Sequence, residues 1–221
     1  MLWSKGFEFE WLDEKIIPFI MIKLTDRILY IPSCGSPLSS DVAIIKGDNR
    51  TYIYDVGNGS GYVDEINAIS GDKVIILSHF HPDHTGNLSM IPSIPCYVGS
   101  NTFKYTKRGE IVNTDVYIDD GVQLHIFPVP SSHAKGSLGL EVDDEYTFVG
   151  DAIGPAIKPD KLVYNVQMLF EEIRVLKRLK ASKIIQSHRM NKIEDKYVII
   201  EKLETIYAKR NGKEPYIEIE E

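Results

Sequence analysis

The chain has 221 residues, of which 43% are hydrophobic and 26% charged, and its formal net charge is -7. This length allows one sizeable hydrophobic core, and the acidic balance gives no electrostatic reason to expect nucleic acid or an anionic membrane as a partner. The two cysteines, Cys34 and Cys96, are far apart without CxxC spacing, so neither a disulfide framework nor a thiolate zinc site is indicated. We see no signal peptide and no apolar run of about 20 residues, and expect a soluble cytoplasmic protein.

Short apolar runs separated by Gly, Pro, Asn and Asp predict a β meander in the first fifty-odd residues. These runs are the stretch around Ile16 to Leu24, then ILYIP, VAIIKG and TYIYDVG. From Tyr62 onward, short helical stretches alternate with the apolar runs KVIIL and PCYVG. Such alternation is typical of β-α units on a largely buried sheet.

The strand pattern returns after Arg108 in IVNTDVYI, VQLHIF, SLGLEV and YTFVG, which predict a second meander. Apolar residues then recur at three- and four-residue steps from Val166 to Leu179, which predicts an amphipathic helix. The run KIIQSH predicts a short strand, Ile199 to Ile206 predict another helix, and the chain ends in an acidic tail, EPYIEIEE. Without a linker or short-period repeat, we expect one domain over residues 1–221 with two similar halves.

The stretch HFHPDH, residues 79–84, contains three of the six histidines of the chain and an aspartate. It follows the predicted strand KVIIL, and Pro82, Gly86 and Asn87 predict that the chain continues as a loop. Ligands and catalytic groups collect at the carboxyl ends of strands in open α/β sheets. The position of the cluster therefore predicts a functional site.

The order of the residues in this stretch suggests how they could bind metal. His79 and His81 are two residues apart, so on an extended backbone both side chains point the same way and can bind one ion. Asp83 and His84 follow on a turning chain, so one loop could supply two metal pockets. Neutral imidazoles suit zinc, and a carboxylate also allows iron or manganese.

Four further polar residues follow apolar runs in a similar way. They are Asp55, His133, Asp151 and His188. Taken singly, each could be a turn residue or a satisfied histidine. Their repeated position at strand ends suggests one shared site.

With these residues in order, the chain resembles the metallo-β-lactamase superfamily of metallohydrolases over roughly residues 20–190. The pattern of that family is an Asp ending an early strand, HxHxDH, a distant His, an Asp after a later strand and a final His. The resemblance implies a four-layer αββα sandwich of the α/β (α+β) class, with two mixed β-sheets and helices outside them. This fold agrees with the repeated order of predicted elements.

The resemblance also implies two divalent metal ions, with zinc as the first expectation and iron or manganese as alternatives. The first ion would be held by His79, His81 and His133, and the second by Asp83, His84 and His188. Asp151 would bridge the two ions, and Asp55 would support the ligands by hydrogen bonds without touching metal. The sixth histidine, His125, is given no role.

The implied activity is hydrolysis, in which a hydroxide bound by two metals cleaves an ester, lactone, thioester or phosphodiester of a small molecule. Asp83 is the expected catalytic residue for proton transfer. The alternatives are an iron-dependent oxygenase or oxidoreductase of the same fold, an RNA or nucleotide phosphodiesterase, and a binding or sensing protein without catalysis. Neither a membrane nor nucleic acid is an expected partner, and the sequence does not indicate an oligomeric state.

Features of particular family branches narrow the range of expected substrates. Antibiotic-degrading members are usually exported and many use a cysteine where this chain has Asp151. Only a short segment follows His188, which disfavours a glutathione thioesterase, and no long RNA-gripping insertion is present. A lactone or other small ester is the leading expectation.

The residues of the substrate pocket have no sequence signature. One departure from the family pattern is AKGS after His133, where a TPGS-like turn is common, so Lys135 could attract an anionic group near the metals. Lys158, Tyr164 and Arg189 are further candidates for the pocket. A second departure is Asn87, which stands where a glycine is frequent.

Overall fold

The structure, a computed structural model, describes residues 21–189 and 192–219. The predicted strand around Ile16 to Leu24 lies mostly outside the described residues. Within the described part, no helix has the length and apolar character needed to cross a membrane.

The strands and helices are numbered in chain order. The strands are β1 (Ile22–Lys23), β2 (Ile28–Ile31), β3 (Cys34–Gly35), β4 (Leu38–Ser39), β5 (Val42–Lys46), β6 (Arg50–Tyr54), β7 (Asp72–Ile76), β8 (Cys96–Val98), β9 (Glu110–Ile111), β10 (Val116–Asp119), β11 (Gln123–Val129), β12 (Ser137–Val142), β13 (Tyr146–Phe148), β14 (Ala156–Lys158), β15 (Lys161–Asn165), β16 (Lys183–Ile185), β17 (Glu194–Asp195) and β18 (Tyr216–Ile219). The helices are α1 (Ser60–Ala68), α2 (Pro82–Thr85), α3 (Ser100–Thr106), α4 (Val166–Arg178) and α5 (Lys196–Ala208), with a 3-10 helix at Gly86–Met90.

Two mixed sheets form the centre of the molecule. The first has the order β1-β2-β5-β6-β7-β8-β9, and its last four strands run parallel to one another. The second has the order β10-β11-β12-β13-β16-β17, in which only β13 and β16 pair in parallel. A small antiparallel sheet, β14-β15-β18, and the β3-β4 hairpin complete the strands of the described residues.

Side-chain alternation along β5 explains why the first sheet is covered on both faces. Ala43 and Ile45 belong to a core cluster that also contains Leu140 of the second sheet, so this cluster lies between the sheets. The intervening Ile44 belongs to another cluster, which contains Ile66 of α1. Because successive strand residues face opposite sides, one apolar run fills two cores.

The second sheet has the same arrangement. In β16, Ile185 packs into the cluster between the sheets, whereas Ile184 packs with Leu176 of α4 and Leu203 of α5. The layers are therefore helix, sheet, sheet and helix. This confirms the αββα sandwich expected from the family resemblance.

Three local predictions differ from the structure. The run IVNTDVYI is divided, since β9 belongs to the first sheet and β10 to the second. The predicted loop after His81 contains α2 and the 3-10 helix, with Pro82 at the first helical position, where its missing N–H costs nothing. The acidic tail contains β18, in which Ile217 is buried and its neighbours Tyr216 and Glu218 are exposed.

Candidate metal centre

The HFHPDH stretch begins just after β7, at the carboxyl end of that strand. His81 is the N-cap residue of α2 and is still extended, with φ -63° and ψ 145°. Nε2 of His79 consequently lies 3.0 Å from Nδ1 of His81. The extended backbone thus brings these two ring nitrogens together, as their spacing predicts.

A third imidazole reaches the same place from the loop between β11 and β12. Nε2 of His133 lies 3.0 Å from Nδ1 of His81. His79, His81 and His133 form the first of two groups in which one ligand atom from each residue lies within 4.8 Å of the others. Residues distant in sequence therefore converge on one point.

Burial prepares His79 and His81 to bind a cation as neutral imidazoles. Removal from water, together with the nearby His84, lowers the pKa of His79 far below its ordinary value. Burial and the neighbouring His133 likewise lower the pKa of His81. Because the rings are neutral at physiological pH, a nitrogen lone pair of each is available to a ligand.

The second group contains Asp83, His84, Asp151 and His188. Oδ2 of Asp83 lies 3.1 Å from Nε2 of His188 and 3.4 Å from Nε2 of His84. Burial alone would raise the pKa of Asp83, but the hydrogen bond with His188 and the nearby His84 lower it below its ordinary value. Asp83 is therefore an anion at neutral pH.

Asp151 lies between the two groups. Its Oδ2 is 3.3 Å from Nε2 of His84 and 3.8 Å from Nε2 of His188, both in the second group. The same oxygen is 3.6 Å from Nε2 of His133 in the first group. This is the position expected of a bridging carboxylate, although that role remains a prediction.

Asp55 is buried behind the second group and contacts it through His84. Its Oδ2 lies 2.7 Å from Nδ1 of His84 and accepts a hydrogen bond of 2.7 Å from the hydroxyl of Ser78. Its Oδ1 accepts a hydrogen bond of 2.7 Å from the backbone N–H of Ser78. A histidine whose Nδ1–H is held by a carboxylate keeps Nε2 free for a ligand. The geometry thus suits the predicted supporting role of Asp55.

The carboxylates around His84 also determine its protonation state. Burial by itself would lower the pKa of His84, but the Asp55 and Asp151 carboxylates outweigh it and raise the pKa to about 10. His84 therefore carries a proton at neutral pH when no metal is bound. A divalent cation would take the place of that proton between the same carboxylates.

Two residues that sequence reasoning did not select, Ser78 and Gly150, hold the site together. The hydroxyl of Ser78, besides bonding Asp55, lies 2.9 Å from Nδ1 of His79. Gly150 has φ 56°, and a Cβ there would lie 2.7 Å from the Ser78 side chain, so only glycine lets the chain before Asp151 approach this closely. The sequence signal that could have identified Ser78 and Gly150 is their position, because each directly precedes a predicted ligand.

Asn87, which the sequence marked as a departure from the family pattern, is fully buried. Its side-chain amide donates to the carbonyl oxygens of Val56 and Gly59 at 2.9 and 3.0 Å, and its Oδ1 accepts from the Gly59 N–H at 3.0 Å. It therefore ties the loop after Asp55 to the segment after His84, where a glycine could make no such bonds.

The remaining histidine lies outside both groups. Nδ1 of His125 is 3.0 Å from Oε2 of the buried Glu141, and its ring stacks on Tyr117 with 4.4 Å between ring centroids. This placement agrees with giving His125 no role in the candidate site.

A cavity of about 510 Å³ adjoins the first group and is lined in part by His81 and His133. Of the pocket candidates, Lys135 and Lys158 line this cavity, whereas Tyr164 and Arg189 do not. Tyr164 is buried, and its hydroxyl donates to the carbonyl oxygen of Ile153 at 2.8 Å.

The donor set fits divalent transition metals. It consists of five imidazoles and two carboxylates in two adjacent groups. Zinc prefers imidazole nitrogens with carboxylate oxygens, and the same donors also accept iron and manganese.

Comparison with known proteins agrees with this fold. The family model for the metallo-β-lactamase superfamily matches residues 35–95, which include the HFHPDH stretch. No curated protein sequence matches the chain.

Solved structures with low sequence identity share the fold. VMB-1 is 17% identical, with a TM-score of 0.66, and the match covers 86% of this chain and 96% of that one. A metallo-β-lactamase from Pontibacter korlensis is 16% identical, with a TM-score of 0.64 and coverage of 84% and 97%. A peroxy diiron species of the chemotaxis sensor ODP is 17% identical, with a TM-score of 0.63 and coverage of 83% and 94%.

These likenesses concern the fold, and the substrates of those proteins are not transferred by them. The family match over residues 35–95, the shared αββα architecture and the two His/Asp groups together support a relation to the metallo-β-lactamase superfamily.

Proposed function

We propose that this protein is a metal-dependent hydrolase that cleaves an ester, lactone, thioester or phosphodiester of a small molecule. The observation that carries the proposal is the convergence of two ligand groups on Asp151, whose Oδ2 is within 3.6 Å of His133 and 3.3 Å of His84. Adjacent ligand groups that share a carboxylate are typical of two-metal hydrolytic sites. A structural metal would need only one closed group.

We assign one divalent ion to each group, with zinc as the first expectation. His79, His81 and His133 would hold one ion, Asp83, His84 and His188 the other, and Asp151 would contact both. When bound, such a pair supplies an activated water at neutral pH and polarises a carbonyl or phosphoryl oxygen.

The protein itself orients the side chains of the candidate metal ligands. Asp55 fixes the ring of His84 from behind, and Ser78 joins the side chains of Asp55 and His79. These contacts are made before substrate binds, so little reorganisation is needed during the reaction.

Asp83 is the group to which we assign proton transfer. It is ionised at neutral pH and its side chain is 14% exposed, so a carboxylate oxygen can face the substrate side. It would accept the proton lost by the attacking water and pass it to the leaving group.

A small molecule is the favoured substrate. The cavity of about 510 Å³ beside the first group lies in the range typical of small-molecule pockets. The net charge of -7 gives no general attraction for a nucleic acid backbone.

A second candidate function is iron-dependent oxygen chemistry. The observation in its favour is that imidazoles and carboxylates suit iron as well as zinc, and the ODP sensor with a diiron species shares the fold at a TM-score of 0.63. The hydrolase is preferred because seven candidate ligands with a shared carboxylate suit a pair of Lewis-acidic ions.

The test combines metal analysis with a hydrolysis screen. The protein as purified, without added metal, is analysed for zinc, iron and manganese and is offered a thioester, a lactone, a phosphodiester and nitrocefin. We expect close to two zinc or manganese ions per chain and turnover of one substrate class. Asp83→Asn, which keeps the shape of the side chain but not its charge, should lose most of that turnover.

His125→Gln is the matched control, because it changes a histidine outside both groups, and it should retain activity. A single iron per chain with no hydrolysis of any of the four substrates would contradict the hydrolase and favour the oxygen-dependent reaction.

A further inference from the structure

The cavity beside the first metal group differs in charge from the protein as a whole. Two lysines, Lys135 and Lys158, line it, and no aspartate or glutamate of residues 21–189 and 192–219 does. Across the whole chain, acidic residues outnumber Lys and Arg by 32 to 25. The cavity is therefore a local cationic region on an acidic protein.

Neither lysine is neutralised by the protein. Among the residues that the structure describes, no carboxylate lies within ion-pair distance of Lys135 or Lys158. Nζ of Lys158 lies 5.6 Å from the centroid of the Tyr216 ring, an interaction that keeps the positive charge. Both ammonium groups can therefore bind an anion from solution.

The backbone that carries Lys135 is fixed by close packing. Gly136, the residue after Lys135, packs against Gly99, which precedes α3. The approach is so close that a Cβ on residue 99 would lie 1.8 Å from the carbonyl oxygen of Gly136. On the other side of Lys135, the hydroxyl of Ser137 donates to the carbonyl oxygen of Ala134 at 2.8 Å. The lysine thus extends from an anchored loop.

Lys158 lies on β14, in the small sheet that borders the cavity. β14 pairs with β15, which pairs in turn with β18. The end of β15 is joined to the cavity wall, since the N–H of Asn165 donates to the hydroxyl of Ser132 at 2.9 Å. The two lysines are therefore held at one cavity by separate elements.

The cavity also has an apolar wall. Phe80, inside the HFHPDH stretch, stacks on Tyr105 with 4.4 Å between ring centroids and 11° between ring planes. Ile157, next to Lys158, is 77% exposed, which is unusual for an isoleucine in a strand. An apolar ligand body would cover both side chains.

We propose that this cavity recognises a small molecule that combines an oxyanion, a carboxylate or a phosphate, with an apolar body. Lys135 and Lys158 would bind the oxyanion, and Phe80 and Ile157 would contact the apolar body. The inference rests on the proposed function in one respect: it assigns an anionic substrate to the hydrolytic centre, because His81 and His133 line the same cavity.

Direct binding tests the cavity without requiring catalysis. Benzoate, phenylphosphate and the neutral isostere benzamide are titrated into the protein as purified, with its metals, and followed by NMR. We expect the lysine variants Lys135→Gln and Lys158→Gln to weaken binding of both anions by about fivefold each, and the double variant by about twentyfold. Benzamide binding should not change.

Lys161→Gln is the matched control, because Lys161 lies on the same hairpin but forms an ion pair with Glu218 outside the cavity. It should bind the anions like the parent. If the double variant binds both anions as tightly as the parent, or if Lys161→Gln weakens binding equally, the proposed recognition is wrong. Anions bound only by the metals would give the first of these results.

A pair of esters separates this inference from the hydrolase proposal. The 4-nitrophenyl half-ester of glutaric acid carries a carboxylate, and 4-nitrophenyl butanoate does not. We expect the lysine variants to raise KM for the half-ester alone and to leave kcat nearly unchanged. If neither ester is hydrolysed while anion binding still depends on the two lysines, the oxyanion site stands and the hydrolase proposal fails.

Discussion

His84 and His125 each lie between two carboxylates, but only His84 belongs to a candidate metal group. Nδ1 of His84 is 2.7 Å from Asp55, and its Nε2 is 3.3 Å from Asp151. Nδ1 of His125 is 3.0 Å from Glu141, and its Nε2 is 3.6 Å from Asp115. The immediate partners are therefore the same kinds of group.

The two histidines differ in the number of donor atoms that Nε2 faces. The Nε2 of His84 faces a point shared by Asp83, Asp151 and His188. The Nε2 of His125 faces a single carboxylate, Asp115, whose side chain is 44% exposed. A metal site therefore requires several donors that converge on one point, and a carboxylate-histidine pair alone does not indicate one.

The largest expected effect comes from removing the support behind His84. Asp55→Ala should weaken metal binding or hydrolysis by about 10- to 100-fold, because outer partners of metal ligands typically contribute that much. It should also lower the free energy of unfolding by about 1–3 kcal/mol, since Ser78 and His84 lose a buried partner. Metal competition titration and thermal unfolding measure the two effects.

Asp55→Asn is the matched control, because asparagine keeps the shape and tolerates the φ of 62° at this position. It should retain the fold while losing part of the metal affinity. Unchanged metal affinity in both variants would show that Asp55 does not orient His84.

The second prediction concerns a buried carboxyl group that has no histidine partner. Glu172 of α4 is fully buried, and neither carboxyl oxygen has a hydrogen-bond partner among the described residues. Burial raises the pKa of Glu172 well above its ordinary value. Glu172→Met should therefore raise the free energy of unfolding at pH 8 by about 1–3 kcal/mol.

The pH dependence of this effect has a definite sign. Below the ordinary Glu pKa of 4.5, the group is protonated in both the folded and the unfolded protein, so ionisation has no effect on stability. As pH rises above that value, only the unfolded chain ionises, and the parent loses stability. The gain from Glu172→Met should thus be larger at pH 8 than at pH 4, measured by urea unfolding.

Glu172→Gln separates ionisation from polarity, because it remains polar and cannot ionise. It should remove the pH-dependent part of the difference while gaining less stability than Glu172→Met. A loss of stability at pH 8 in both variants would contradict the assignment of Glu172 as a destabilising group.

The smallest effect is expected at His125. His125→Ala should leave the metal content unchanged, because the residue belongs to neither group. Stability should fall by about 1 kcal/mol, since Oε2 of the buried Glu141 loses its partner. Elemental analysis and thermal unfolding are the measurements, and loss of a metal equivalent would mean that the centre has been placed wrongly.

Apolar runs such as that of β5 predicted the repeated strand-rich segments, and the family resemblance implied that they form a two-sheet αββα sandwich. The sequence did not predict that β9 and β10 belong to different sheets, because strand partners are chosen by tertiary packing. The acidic residues of the last segment concealed β18, although Ile217 and Ile219 alternate with polar neighbours. In this segment the acidic composition predicted a tail, whereas the alternation of apolar and polar residues is typical of a strand.

Within the candidate site, the ligand positions were predicted from the unusual HFHPDH cluster, from polar residues that follow other apolar runs, and from the family resemblance that these residues carry together. The roles of Ser78, Gly150 and Asn87 were not, because serine, glycine and asparagine are common near turns. Their contribution depends on contacts between distant segments, such as the close approach of Gly150 to Ser78. Such contacts become visible only in three dimensions.

The proposed hydrolase requires two separate metal positions that share Asp151. The decisive measurement is the number of metal equivalents retained per chain after dialysis, compared among the parent, His133→Ala and His188→Ala. We predict about two for the parent and about one for each variant, because each substitution removes a ligand of one group only. One equivalent in the parent, or two retained in either variant, would contradict the two-site centre.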